Sequence, residues 1–318
     1  DAPAGEYVST IKLYAKGRQL RTFDIGLTVI DRELPPPAEW NYYLDLWQHP
    51  AAVARVEGLD MWSDAHFEAL VPYMRLLADA GQKVVTTTLN KDPWNNQCFD
   101  SYADMIVWTK NADGSWSYDY TVFDRWVELM TGLGIDHTIN CYSMLPWNNE
   151  LHYRDGVTGR FVDVTADPGT PAFEELWVPF LTDFTGHLRE KGWLGRTNIA
   201  MDERSPEEMT DALDLLRKTA PELGIAMADN KNSYLSYPFI NSMCVKVRDR
   251  VPPQHIAERR AQGFVTTYYV CCSDRFPNMF TFSDPAEAVY AGWYTAACGY
   301  DGFLRWAYNS WVEDRLAF

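Results

Sequence analysis

Two carboxylates stand side by side in the stretch NIAMDERSP (198–206), where the apolar run Ile199-Ala200-Met201 stops at Asp202 and Glu203. Acids in such a place often serve as a helix N-cap and a first-turn charge. Here Ser205 already fills the cap, with Glu208 three residues on and Pro206 at the first turn, the pattern of a capping box. That leaves both acids spare at the exit of a buried strand. Their chemistry would be proton transfer: one carboxyl held protonated by its surroundings, the other able to accept or orient.

The elements that carry this pair repeat along the chain. Strand YYLDLW (42–47) is followed by a helix over 64–81, strand 83–89, a tryptophan-rich insertion, a helix over 121–134 and strand 137–143. A second insertion, HYRDGVTGRFVDV, reads as a hairpin turning at Thr158-Gly159, and a helix over 171–192 leads into TNIAMDE. Beyond it come a helix over 205–221, strand 224–229, strand 239–245, a helix over 253–263, strand 264–272, a helix over 284–299 and strand 300–309. Eight strands with at least six helices predict a (β/α)8 TIM-type barrel over 40–318. A doubly wound sheet is disfavoured, because LDLWQHP stands after the first strand where a glycine-rich phosphate loop would be needed. Residues 1–39 differ in character. They hold two β-rich segments around a glycine turn and a stiff LPPPAEW linker, read as the last strands of an upstream β-sandwich domain.

Composition narrows the partners. A formal charge of −16 and the lack of any Lys/Arg run exclude a nucleic-acid stripe, and no apolar run approaches a membrane span. Six cysteines show no CxxC pairs and no histidine at zinc spacing, so neither a metal site nor a cofactor is expected. Buried free thiols are the expected state, with a disulfide open for Cys271 or Cys272, which should point to opposite faces of a strand. The chain opens at Asp1 without a methionine or a signal peptide, so it is read as a processed or trimmed product.

In a TIM barrel the chemistry sits at the C-terminal ends of the strands. The residues there are Asp45, Trp47 and His49; Asn90; Asn140 and Tyr142; Asp202 and Glu203; Asp229; Asn241; Tyr268 and Tyr269; Trp306, Asn309 and Trp311. Amides, acids, phenols and indoles with one histidine and no lysine suit a neutral, hydroxyl-rich ligand: polar groups bond the hydroxyls and indoles stack on a ring. Several have a structural alternative. Asp45 and His49 could cap or brace loops, and Asn309 could tie down the last one.

A glycosidase normally takes its two carboxyl groups from different strands, about 5 Å or more apart. Adjacent acids fit substrate-assisted catalysis better. One acid protonates the leaving oxygen, while its neighbour holds the N–H of a 2-acetamido group whose carbonyl oxygen attacks C1 through an oxazoline-type intermediate. The alternatives are a glycosidase with Asp229 or Asp45 as a conventional nucleophile, and a catalytically silent carbohydrate-binding barrel.

MDER at the fourth-strand exit, TTYYVCCSDRFPNMFTF and GYDGFLRWAYNSW together resemble glycoside hydrolase family 123. YLDLWQHP after the proline-rich linker is similar to that family's barrel entry, and the preceding hairpin to the end of its β-sandwich. The resemblance implies a retaining β-N-acetylgalactosaminidase, or a relative acting on another β-linked 2-acetamido sugar of a glycan or glycoconjugate. It implies that Asp202 positions the acetamido group and Glu203 is the general acid and later base. Tyr269, Trp306, Asn309 and Trp311 would form the sugar subsite. The family usually continues past the eighth strand, where this chain stops at WVEDRLAF. An exported protein, periplasmic, on the surface or extracellular, is the expectation, since glycans lie mostly outside the cell.

Overall fold

The computed structural model describes residues 2–314. It begins with an antiparallel hairpin, β1 (Gly5–Ala15) and β2 (Arg18–Val29), turning at Lys16-Gly17. Both turn residues have positive φ, 48° and 73°, as a two-residue hairpin loop requires. The register places Tyr7, Ile11, Leu13, Phe23, Ile25 and Leu27 on one face, and all six are exposed.

The barrel follows. Its elements are β3 (Tyr43–Leu46), α1 (Pro50–Glu57), α2 (Asp64–Asp79), β4 (Val84–Thr88), then an insertion hairpin β5 (Val107–Lys110) and β6 (Trp116–Asp119). Next come α3 (Thr121–Gly132), β7 (Thr138–Tyr142), a second hairpin β8 (Glu150–Asp155) and β9 (Phe161–Thr165), and α4 (Pro171–Glu190). The chain continues through β10 (Thr197–Asp202), α5 (Pro206–Thr219), β11 (Gly224–Asp229), β12 (Ser242–Lys246), α6 (Pro253–Ala261), β13 (Val265–Tyr269), α7 (Pro285–Cys298) and β14 (Gly302–Arg305). Eight strands pair in the order β3-β14-β13-β12-β11-β10-β7-β4, each pair parallel. The ring closes where Leu44 bridges Gln82 and Lys83 N–H donates to the Leu44 carbonyl at 2.9 Å. The TIM-type barrel read from the sequence is the fold. Gly302 permits one of its contacts: a Cβ there would lie 1.9 Å from the Tyr43 carbonyl oxygen, so any side chain would push β14 off β3.

Alternation along the strands divides the core. On β10 and β11 the large residues Ile199, Met201, Ile225 and Met227 join the main cluster between strands and helices. The small residues Ala200, Ala226 and Ala228 join a second cluster with Trp47, Trp94, Tyr142, Tyr269 and Leu304. Small side chains on the inner face leave room at the barrel mouth, and Asp202 extends the Asn198-Ala200 face into it.

The structure departs from the sequence reading in three places. An unforeseen short helix, α1, starts directly after the first strand, with His49 capping Ala52 N–H and Gly58 in the left-handed region ending it. Strand β13 ends at Tyr269, so Cys271 and Cys272 lie on the loop beyond it, and both are free thiols. Finally, the two insertions form one four-stranded sheet, β6-β5-β8-β9, because β5 pairs parallel with β8. Trp108 anchors this sheet, stacked on Phe180 of α4 at 4.3 Å with its indole N–H on the Leu89 carbonyl.

Candidate active site

Asp202 is the last residue of β10, and ordinary alternation would turn Glu203 away from it. Instead Glu203 takes φ +48°, the left-handed region, which costs a non-glycine residue about 1 kcal/mol or more. Its N–H is tied to the Ala228 carbonyl at the end of β11, 2.9 Å away. The turn brings both carboxylates onto the wall of one cavity. Arg204 then points inward and is buried, pairing with Glu208 and donating to the Trp147 carbonyl and Asn149 Oδ1, both at 2.8 Å. The Ser205–Glu208 capping box starts α5 immediately after it.

Indoles fix Asp202 from two sides. Trp94 Nε1 donates to its Oδ2 at 2.9 Å, and Trp147 Nε1 donates to its main-chain carbonyl at 3.1 Å. Burial, reinforced by the neighbouring Glu203 charge and partly offset by the Trp94 bond, pushes the Asp202 carboxyl up to about 8. Glu203 is exposed and accepts a hydrogen bond from the Tyr269 hydroxyl on Oε1. Burial, and next the bond to Glu203, raises the Tyr269 phenol far above its ordinary value, so it remains a donor.

The cavity, about 140 Å³, is lined by these two acids with Trp47, Trp147, Tyr269 and Trp306, and by Gln97, Ala228, Cys271, Cys272 and Leu304. Tyr142 lies behind the wall, its ring 4.6 Å from Trp47 and 5.1 Å from Trp94. A larger cavity of about 290 Å³ sits at the opposite ends of β10 and β11, among Leu194, Thr197, Gly224, Phe239 and Asn241, and holds no adjacent acid pair. Among the described residues no group of three or more His, Cys, Asp or Glu is placed to hold a metal ion, and no helix is long and apolar enough to cross a membrane.

Of the residues named from sequence, Asp202, Glu203, Trp47, Tyr269 and Trp306 meet at the cavity. The others are off its wall, committed to structure. His49 and Asn309 clamp each other, His49 N–H donating to Asn309 Oδ1 at 2.8 Å and Asn309 Nδ2 to the His49 carbonyl at 2.9 Å. Asn90 bonds both main-chain groups of His152 and so holds the insertion sheet to β4. Asn140 accepts from Asn198 at 2.9 Å inside the barrel. Asp229 is fully buried, its carboxylate capping the N–H groups of Lys231 and Ser233. Trp311 packs edge-on against Tyr73 at 5.4 Å. Asp45 lies inside the barrel, 3% exposed, with Oδ1 lacking a partner among the described residues. Burial pushes its carboxyl up to about 7, against the opposing effect of the Trp47 indole. Trp94, Trp147 and Gln97 escaped the sequence reading. Their one signal was tryptophan in the insertions after the second and third barrel strands, the side on which a barrel keeps its chemistry.

The family profile described as "Glycoside hydrolase 123, catalytic domain" matches residues 47–317. Among solved structures, a family 123 glycoside hydrolase from Clostridium perfringens, reported in connection with glycolipid glycan hydrolysis, is similar at 32% identity and a TM-score of 0.88. That match covers 99% of this chain and 58% of the other, so the chain spans little more than half of its relative's length. SrfJ from Salmonella typhimurium aligns at 12% identity and a TM-score of 0.45, over 94% of this chain and 74% of its own. No curated protein matches the sequence.

Proposed function

From the premise that the chain belongs to glycoside hydrolase family 123, we propose that this cavity cleaves a terminal β-linked N-acetylgalactosamine, or a related 2-acetamido sugar, with retention of configuration. The observation that carries the reading is the Asp202–Glu203 pair reaching one aromatic-walled cavity from adjacent positions. The two acids that could serve a conventional displacement are poorly placed for it, Asp229 being consumed by backbone amides and Asp45 lying off the wall. Glycolipid glycans, named with the Clostridium perfringens protein, are a natural substrate class to test.

In the proposed reaction the substrate's acetamido N–H donates to Asp202, and its carbonyl oxygen attacks C1 as the bond to the leaving oxygen breaks. Glu203 delivers the proton to that oxygen. Water then adds to C1 of the oxazolinium, giving its proton to Glu203, and the acetamido group is released unchanged. The raised carboxyl of Asp202 has a use here. In the free protein the buried Asp202 carboxyl, raised to about 8, retains its proton. An amide hydrogen bond to Asp202 favours its ionised form and frees that proton for Glu203. Binding the correct substituent would thereby arm the acid.

Two further expectations stand as proposals: export of the protein to where glycans lie, and packing of the apolar face of the β1–β2 hairpin against an upstream β-sandwich domain. The test of the main reading is nitrophenol release from matched β-N-acetylgalactosaminide, β-N-acetylglucosaminide and plain β-galactoside. Turnover confined to the acetamido sugars is expected. Comparable turnover of the plain galactoside would sink neighbouring-group assistance.

A further inference from the structure

The barrel interior holds a donor and an acceptor that complement each other yet are not joined. Asp45 and Trp47 stand two positions apart at the end of β3, and alternate residues of a strand share a face. Leu46 between them packs with the main cluster, while Trp47 belongs to the second cluster at the mouth. The Trp47 main-chain N–H donates to the Arg305 carbonyl at 3.0 Å, which carries the alternation past the last residue of β3. Asp45 Oδ1 and Trp47 Nε1 are both buried, and neither has a hydrogen-bond partner among the described residues. They are near enough for the indole to work against the burial that raises the Asp45 carboxyl. Buried polar groups are seldom left unpaired, because each has lost its water without replacement. Trp94 and Trp147 are engaged by contrast, their Nε1 atoms bonded to Asp202 at 2.9 and 3.1 Å. The Trp47 ring borders the cavity and leans on Trp94 and Tyr142 at 32° and 52° rather than stacking flat.

We propose that Asp45 is a positioning residue for the bound sugar: a ring seated against Trp47 tilts the indole until its N–H donates to Asp45 Oδ1, and the closed pair fixes the aromatic platform. The cavity gives the indole space on one side, and its neighbours from β10 and β11 in the same cluster are the small residues Ala200, Ala226 and Ala228. Closing the pair relieves both orphaned groups at once, so the sugar complex gains a bond that the free protein lacks. The effect reaches the acids, because the Trp47 ring lies 4.9 Å from Trp94, whose indole N–H holds Asp202. Asp45 thus acts through two tryptophans without touching the sugar. The bond needs only an acceptor oxygen, which a carboxylate, a carboxylic acid and an amide each supply.

The proposal rests on the cavity taking a sugar ring, not on which sugar, so N-acetylgalactosamine, N-acetylglucosamine and galactose all serve as probes. Binding is titrated on the indole N–H resonances of isotope-labelled tryptophan, to which Trp147 and Trp306 on the cavity wall contribute. Asp45→Leu removes the acceptor at similar size, Asp45→Asn keeps it, and Trp47→Phe keeps a ring without the N–H. Asp45→Leu should weaken the best-bound sugar about tenfold, and Asp45→Asn less than about threefold. In the Trp47→Phe background the same Asp45→Leu change should cost less than about twofold. Urea unfolding without sugar should show no such coupling, because the pair is open in the free protein. The Trp47 indole resonance, assigned by its absence from Trp47→Phe, should move downfield on saturation with sugar and exchange more slowly with solvent. That wild-type signal decides the case even if the Asp45→Leu barrel does not fold. A resonance that stays in place on binding, equal losses from Asp45→Leu in both backgrounds, or coupling already present in urea would each overturn the proposal, as would no binding of any probe. Galactose bound as tightly as the acetamido sugars would count against the acetamido reading and leave the role of Asp45 standing.

Discussion

The two ends of β10 and β11 make an instructive pair. At the N-terminal end the cavity is the larger, about 290 Å³, yet its inward polar groups satisfy one another. Asn198 donates to Asn140, and Asn241 Oδ1 accepts the Ile225 N–H at 2.9 Å. At the C-terminal end the cavity is about 140 Å³, and its polar groups are left in tension. Asp202 is pressed against Glu203, the Glu203 backbone is left-handed, and Asp45 Oδ1 is buried nearby in the barrel with no partner among the described residues. Cavity size does not locate chemistry here. Unrelieved electrostatic and conformational cost does, because a merely structural site has no reason to retain it.

The contrast can be broken by mutation, beginning at the mouth. Glu203→Gln should lower kcat/KM for substrates with poor leaving groups by about 10³-fold, with far less loss for nitrophenyl leaving groups. Equal losses on both would remove Glu203 from the acid role. Asp202→Asn should cost about 10²-fold on 2-acetamido sugars and weaken a thiazoline inhibitor in parallel. Thiazoline binding at wild-type strength would leave Asp202 without its assigned task.

Asp45 tests whether the cost is real. Its carboxyl, pushed up to about 7 by burial, binds a proton more tightly in the folded than in the unfolded chain. Its contribution is thus present below about pH 4 and is lost as pH rises through 7. Asp45→Asn should therefore gain on the order of 4 kcal/mol over wild type at pH 8 and little at pH 4, as read by urea unfolding at both. A difference independent of pH would contradict the assignment. Smallest of all, Asn241→Ala at the opposite end should cost about 1 kcal/mol of stability and leave kcat/KM unaltered.

The barrel was legible because its signals are local and periodic. The runs at 83–89, 137–143 and 224–229 carry the apolar character of doubly covered strands, and the capping box at Ser205 and Glu208 marked the start of α5 to the residue. Asp202 and Glu203 were visible for the same reason, as unneeded acids at a strand exit. What sequence could not give was non-local. Trp94 and Trp147 lie in aperiodic insertions, and nothing near either predicts that both indoles converge on Asp202. His49, Asn90 and Asn309 have the composition of ligand contacts, but each side chain is bonded to main chain far away in sequence, at Asp100, His152 and His49 respectively. The left-handed turn at Glu203 was equally hidden, since glutamate has no preference for it.

The joined insertion sheet sets a rule for how this scaffold can change. Because β5 and β8 share a hydrogen-bonded edge, the excursions after the second and third barrel strands form one heritable module. Lengthening, deleting or transplanting either alone leaves an open strand edge, and a graft from a related protein should succeed only when both are exchanged together.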